Sequence, residues 1–363
     1  MKNESFKFPM SNYAISIFFL ISIFSSCSAP PCGEFNFAGK IQPVPESAVF
    51  QDDNYYTWCG GSVVRSTDGI YHMYYSRWPK KYGFSAWATH SEIAYATASH
   101  VLGPYKFRDV ALPARDTVYW DGLCTHSVNV HYFNNRYYMY YMGNTGDGVI
   151  NPDDLNWVHR NNQRIGVAVA DHPEGPWQRS DAPLIDVSTD SMAYDALLVS
   201  NPVIARRWDG TYILIYKAVG KQRPLPFGGP VVHLAATSVS PEGPFVKNDQ
   251  PIFVSEGIDF PAEDPYIWVQ DKCFYAIVKD MGGYFTDAGQ SLILFSSADG
   301  LNWDLAKHPL VSTLDVKMQN GQTLHLDRLE RPQLYIENGK PTVLFCAAVI
   351  SYESSFNIFI PLK

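Results

Sequence analysis

The chain has 363 residues with a formal net charge of −8. Aromatic residues make up 15% of it (23 Tyr, 21 Phe, 9 Trp), charged residues only 18%, and Gly and Pro 25 each. Long-helix proteins draw on Ala, Glu, Lys, Leu and Arg, so this composition excludes a coiled coil or helical repeat. An apolar fraction of 46% excludes global disorder. The acidic balance and the lack of a basic block speak against nucleic acid as a partner, because phosphate binding needs clustered Lys and Arg.

At the N-terminus Lys2 and Lys7 precede an apolar run over 13–24, followed by Ser25, Ser26 and Cys27. The run is short for a membrane span and suits a signal sequence over 1–26. Small residues directly before Cys27 resemble a bacterial lipoprotein box. The expectation is export, with Cys27 lipidated and the envelope membrane met only through that anchor; ordinary secretion is the alternative. Residues 27–50 read as a tether that also carries a ring-closing strand, and 51–363 as the folded unit. Cys32, Cys59, Cys124, Cys273 and Cys346 are odd in number and scattered. They are read as small buried hydrophobes, not as a disulfide framework. Cys59 and Cys124 begin adjacent repeats, which leaves packing, a disulfide or metal ligation open there.

From residue 62 onward one pattern recurs every 63 to 74 residues, over 62–77, 127–143, 201–218, 264–280 and 331–348. An apolar strand reaches a turn and returns through an aromatic strand. Asp68-Gly69, Asn134-Asn135, Asp209-Gly210 and Asn338-Gly339 supply the positive-φ residues of tight hairpins. A second unit comes after it over 92–107, 164–178 and 232–247, with a looser copy over 291–306. Each of the first three ends in Gly-Pro-aromatic, at Gly103-Pro104-Tyr105, Gly175-Pro176-Trp177 and Gly243-Pro244-Phe245. Alternation at period two marks a strand with one buried face, and the Gly-Pro punctuation turns the chain to an edge strand. Four strands in each of five repeats predict an all-β, five-bladed β-propeller of four-stranded antiparallel blades.

The first residues of each inner strand line a propeller's central funnel. Here they are Trp58-Cys59-Gly60-Gly61, Thr125-His126-Ser127-Val128-Asn129, Ser200-Asn201, Glu263-Asp264 and Glu330-Arg331. Ionisable groups at such positions are costly unless used or paired, which makes the set a candidate site.

The repeat, the Gly-Pro-aromatic endings and the Ala262-Glu263-Asp264-Pro265-Tyr266-Ile267-Trp268 stretch resemble glycoside hydrolase families 43 and 117. The resemblance covers about residues 50 to 350. In family 43 blade four opens with Glu-Gly-Pro, and its Glu is the general acid; Glu263-Asp264-Pro265 matches apart from Asp264. Thr89-His90-Ser91-Glu92-Ile93-Ala94 and Glu330-Arg331-Pro332 are similar to family 117, which releases 3,6-anhydrogalactose from agar oligosaccharides. Family 43 has a base Asp at the head of blade one, where this chain has Cys59, Gly60 and Gly61. It has a second, acid-tuning Asp at the head of blade three, where this chain has Asn201. The helical N-terminal segment that family 117 exchanges between subunits has no room before blade one, so that dimer is not expected; the oligomeric state stays open.

The resemblance implies an exo-acting glycosidase of the xylosidase, arabinofuranosidase or anhydrogalactosidase type, working on the non-reducing end of a cell-wall oligosaccharide. Glu263 would be the acid, Asp264 or Asp195 the base or tuner, with Asp121, Asp280 and Glu330 as further carboxylates able to take the second role. His126 and Arg331 would orient the sugar, and Trp58, Trp87 or Trp268 would stack on it. Two-carboxylate hydrolysis needs both groups at defined separation. The missing Asp residues therefore keep a second reading open. It is a dehydratase or lyase acting by elimination on a uronate-capped oligosaccharide, served by His90, His126, Asn201, Lys217, Lys279, Arg77 and Arg331. A non-catalytic glycan-binding lipoprotein is the third. No cofactor is expected; Ca²⁺ or Na⁺ in the axial channel would leave no sequence trace and is not predicted.

Overall fold

The computed structural model describes residues 32–151, 154–351 and 354–363. The signal sequence and the Cys27 lipidation site lie outside them. Five four-stranded antiparallel sheets succeed one another as blades of a β-propeller. Blade one holds Tyr55–Arg65, Tyr71–Pro79, Glu92–Ala98 and Lys106–Leu112, from the axis outward. Blade two holds Cys124–Phe133, Arg136–Asn144, Arg164–Ala170 and Gln178–Arg179. Blade three holds Leu198–Arg206, Tyr212–Val219, Val231–Ser238 and Val246–Lys247. Blade four holds Ala262–Gln270, Cys273–Asp280, Ser291–Ser297 and Asp304–Ser312. Blade five takes Arg328–Glu337, Lys340–Val349 and Ser355–Pro361 from the end of the chain. Its outer strand, Val49–Phe50, comes from the beginning and pairs with Ile358 and Asn357.

The repeated aromatic strands explain themselves in the packing. They are the second strands, buried on both faces between blades, and their hydroxyls still need partners. Tyr74 of blade one donates to the carbonyl of Pro173 in blade two, and Tyr140 of blade two donates to that of Pro241 in blade three at 2.6 Å. Each Tyr thus staples its blade to a turn of the next. Among the described residues no helix is long and apolar enough to cross a membrane.

Two features depart from the sequence reading. Cys32 and Cys273 form a disulfide, closing a loop of 241 residues. Sequence spacing carries no hint of it, because propeller closure brings the chain's beginning against the first turn of blade four. A small hairpin, Asp315–Lys317 with Thr323–His325, comes after blade four outside the repeat. Cys59, Cys124 and Cys346 are free and buried.

A cross-link between such distant residues restricts the unfolded chain strongly, by about 2–4 kcal/mol. We expect Cys32→Ser to lower the thermal midpoint by several degrees without changing the far-ultraviolet spectrum. An unchanged midpoint would show that the disulfide contributes nothing to stability.

Candidate functional site

Every inner strand breaks its pairing near its head: between Trp58 and Ser62, His126 and Asn129, Ser200 and Val203, Glu263 and Tyr266, and Glu330 and Gln333. At each break one residue is left-handed, with φ of 71° at Cys59, 54° at Ser127, 51° at Asn201, 53° at Asp264 and 57° at Arg331. Non-glycine residues adopt that conformation at a cost of about 1–3 kcal/mol and keep it only where the surroundings impose it. In blade one the break is wider and needs glycines. A Cβ at Gly60 would stand 2.4 Å from the Arg331 carbonyl, and one at Gly61 2.7 Å from Met73 Sδ.

The five left-handed residues line the axial channel, and four of them close a ring. Arg331 Nη1 donates to Ser127 Oγ (2.7 Å), Ser127 Oγ to Asn201 Oδ1 (3.0 Å), and Asn201 Nδ2 to Asp264 Oδ1 (2.8 Å). Asp264 Oδ2 lies 3.1 Å from Arg331 Nε, an ion-pair distance without hydrogen-bond alignment. Below it Asn129 Nδ2 donates to Gln333 Oε1 (2.9 Å), whose amide donates to the Val128 carbonyl (3.0 Å).

One residue earlier on each strand stand Trp58, His126, Ser200, Glu263 and Glu330. Their second-strand partners are Ser76, Met142, Lys217, Lys279 and Ala347. Lysine occupies this place only in blades three and four, so the repeat does not require it. Lys217 Nζ donates to Glu263 Oε1 at 2.9 Å, while Lys279 Nζ binds Glu330 and lies 3.8 Å from Glu263 Oε2. Carboxylate oxygens of Glu263, Asp264 and Glu330 fall within 4.8 Å of one another.

This charge lattice sets the protonation. Burial would raise Glu263, but Lys217, Lys279 and Arg331 outweigh it and hold the carboxyl far below its ordinary range. Burial raises Asp264, against Arg331, and with the neighbouring Glu263 and Glu330 charges it reaches about 7. Two adjacent carboxyls whose affinities for a proton are pushed apart are the usual mark of acid–base work. The cations around Glu263 thus work against its holding a proton at rest. The three cations favour the anion at Glu263, while Asp264 takes up and releases its proton around pH 7 and pairs with Arg331 as the anion.

The other expected residues divide clearly. His126 is buried with both nitrogens occupied, Nδ1 2.7 Å from Ser91 Oγ and Nε2 3.7 Å from Cys59 Sγ, between Trp78 and Trp87. Burial, then Arg331 and Lys217, keep it neutral. His90 ends the helical turn Trp87–His90, packs beside Tyr82 and uses only Nδ1, toward Thr89 Oγ1 at 2.9 Å. Burial, then Lys81, lower its affinity for a proton as well.

Trp58 is buried against Trp78 and Phe84 and offers no open face for a sugar. Trp268 lies further down its strand, buried among Phe35, Phe37 and Tyr275. The half-buried Trp87, beside His126, is the one Trp of the three with accessible surface. Asp195 is not joined to the cluster: it pairs with Lys247 (2.6 Å) beside the Tyr216 hydroxyl. Asp121 is locked by Arg115, Arg179 and Tyr141, and Asp280 accepts four backbone N–H groups from 282–285. Arg77 is paired with Glu92. Cys124 Sγ turns to the Trp87 carbonyl and not to Cys59.

No protein-family model and no curated protein matches the chain. Solved structures do. Zg3597, a family 117 glycoside hydrolase of the marine bacterium Zobellia galactanivorans, superposes with a TM-score of 0.59 at 17% identity, over 89% of both chains. A thermostable family-43 glycoside hydrolase gives 0.58 at 14% identity, over 89% of this chain and 95% of the other. An α-L-arabinofuranosidase from Lactobacillus brevis gives 0.56 at 10% identity, over 90% and 94%. The fold is shared. At these identities the likeness establishes the five-bladed propeller and not the activity.

Removing one member of a buried ion pair strands the other, at about 3–5 kcal/mol. Asp264→Asn should therefore lower the urea midpoint sharply, and adding Arg331→Met should recover part of the loss. Strictly additive losses would show that the two side chains do not interact across the axis.

Proposed function

We propose that this protein is a carbohydrate-active enzyme that takes the end of an oligosaccharide into the funnel and breaks a terminal glycosidic bond. The observation that carries the reading is the Glu263–Asp264 pair, one carboxyl held as an anion and its neighbour taking up and releasing a proton around pH 7. Glu263 is the more exposed of the two, its side chain at 16% against 2% for Asp264. It is thus the group that meets the glycosidic oxygen. Lys217 and Lys279 hold its carboxylate in place; the departing oxygen takes the proton that Asp264 supplies through Glu263, while a water adds to the anomeric carbon and its released proton returns to the pair. The glycoside hydrolase structures on the same fold support this class of substrate.

A specific observation favours a second reading, elimination from a uronate-ended chain. Among the described residues the inner-strand heads of blades one to three carry no carboxylate. His90, neutral and with Nε2 unpartnered among the described residues, is a base suited to removing the C5 proton of a uronate. The electron pair would form the C4–C5 double bond as the C4 oxygen leaves with a proton from Lys217.

Mass spectrometry of neutral, agar-type and uronate-capped oligosaccharides incubated with the purified protein separates the two. Cleavage with uptake of water supports hydrolysis; products with new ultraviolet absorbance and no water taken up support elimination. No conversion of any of them refutes the enzyme reading. Glu263→Gln should reduce turnover about 10²–10⁴-fold while leaving the fold intact. Because Asp264 loses its proton as pH rises through about 7, kcat/KM should decline above that pH. A flat profile from pH 6 to 9 would remove Asp264 from the reaction.

A further inference from the structure

Buried charges are expensive unless paired, so an unpaired one calls for explanation. The buried cations here obey the rule: Arg77 meets Glu92, Lys279 meets Glu330, and the nearly buried Arg331, Lys217, Arg115 and Arg179 meet Asp264, Glu263 and Asp121. Arg160 does not. It is 8% exposed, yet among the described residues no carboxylate lies within 4.0 Å of it.

Arg160 sits on the helical turn Trp157–Asn161, which rises between the second and third strands of blade two. Its Nη1 donates to the Phe227 carbonyl (2.5 Å) and to Asn161 Oδ1 (2.9 Å). Asn161 Nδ2 donates in turn to the Pro226 carbonyl (3.0 Å), joining the turn to the loop of blade three. The guanidinium lies 4.9 Å from the Phe227 ring and 5.7 Å from that of Trp157. Nε and Nη2 have no acceptor among the described residues. Its position relates it to the funnel: His159 of the same turn bonds Asn144 (2.6 Å), which donates to the Ala88 carbonyl (3.0 Å) on the turn Trp87–His90 that packs beside His126, and Glu263 offsets part of the burial that brings Arg160 down to about 10.

The geometry points to Arg160 as the subsite for an anionic group, a carboxylate or a sulfate ester, on the sugar that occupies the funnel. The inference deepens the proposed function and rests on it for the identity of the ligand as a sugar. A guanidinium fixed at one nitrogen presents its remaining N–H edge for the two-point contact that planar or tetrahedral oxyanions accept. The neighbouring Trp157 and Phe227 rings supply apolar faces for the C–H surface of the same sugar. Counting Arg160 with Lys217, Lys279 and Arg331 gives four cations against the carboxylates of Glu263 and Glu330 and an Asp264 that is only partly ionised near neutrality. The funnel thus holds a positive surplus that an anionic ligand cancels.

Tryptophan-fluorescence titration reads binding independently of turnover. The probes are a uronate-capped oligosaccharide, its carboxyl-reduced counterpart, and a sulfated version of that neutral chain. The protein should bind one of the two anionic forms about 10- to 100-fold more tightly than the neutral one, the scale of charged hydrogen bonds. Whichever anion is preferred names the group. Arg160→Met should abolish the preference and leave neutral binding unchanged, while Arg160→Lys should retain part of it. Three results overturn the inference: no preference in the wild type, a preference that survives in Arg160→Met, or equal weakening of all three ligands in both variants. If the preference tracks Arg160 but no probe is converted, the anionic subsite stands and the catalytic reading falls.

Discussion

Each of the five inner strands turns through a left-handed residue at the same point, and the whole site depends on that turn. A regular strand alternates its side chains between the two faces of a blade, and none would point down the axis. The break re-aims one side chain per blade inward, so Ser127, Asn201, Asp264 and Arg331 meet around the axis and join. Their mutual bonds make the strained backbone tolerable. The residue before each break then stands one layer away from the ring, and of these five Glu263 alone keeps exposed side-chain surface.

Two layers of charge result, with different tasks. The lower ring is closed upon itself, and it fixes Asp264 beside Glu263. The upper layer is held by two lysines that only blades three and four carry. Burial beside two anions raises Asp264 to about 7 despite Arg331, and three cations lower Glu263. The polarity of the pair comes from placement, since either side chain alone in water would be an ordinary carboxylate.

The propeller is legible in the sequence because its signals are local. Hairpin turns such as Asp209-Gly210, the Gly-Pro-aromatic endings and the alternating strands repeat at nearly constant spacing. The ring-facing positions come from that register, and Glu263, Asp264, Lys217, Lys279, Glu330 and Arg331 do converge. The expectations that fail depend on distance across the fold. Cys32 pairs with Cys273 only because closure of the ring brings them together. Trp268 lies four residues beyond Asp264 but past the break, on a face packed by Phe35 and Phe37. Asp195 precedes its strand head and turns to Lys247. Arg160 is hard to read from sequence because it belongs to a connection between strands, outside the repeat. Its one signal is a lone aromatic-flanked cation in an insertion of blade two.

In the proposed reaction the terminal sugar meets the Glu263–Lys217–Lys279 group. A crystal structure of Glu263→Gln soaked with a uronate-capped oligosaccharide tests this contact most directly. The expected result is a terminal ring held over Lys217 and Lys279, its glycosidic oxygen within hydrogen-bond reach of residue 263. A sugar bound only elsewhere, such as the cleft beside Asp195 and Lys247, with the funnel unoccupied, would contradict it.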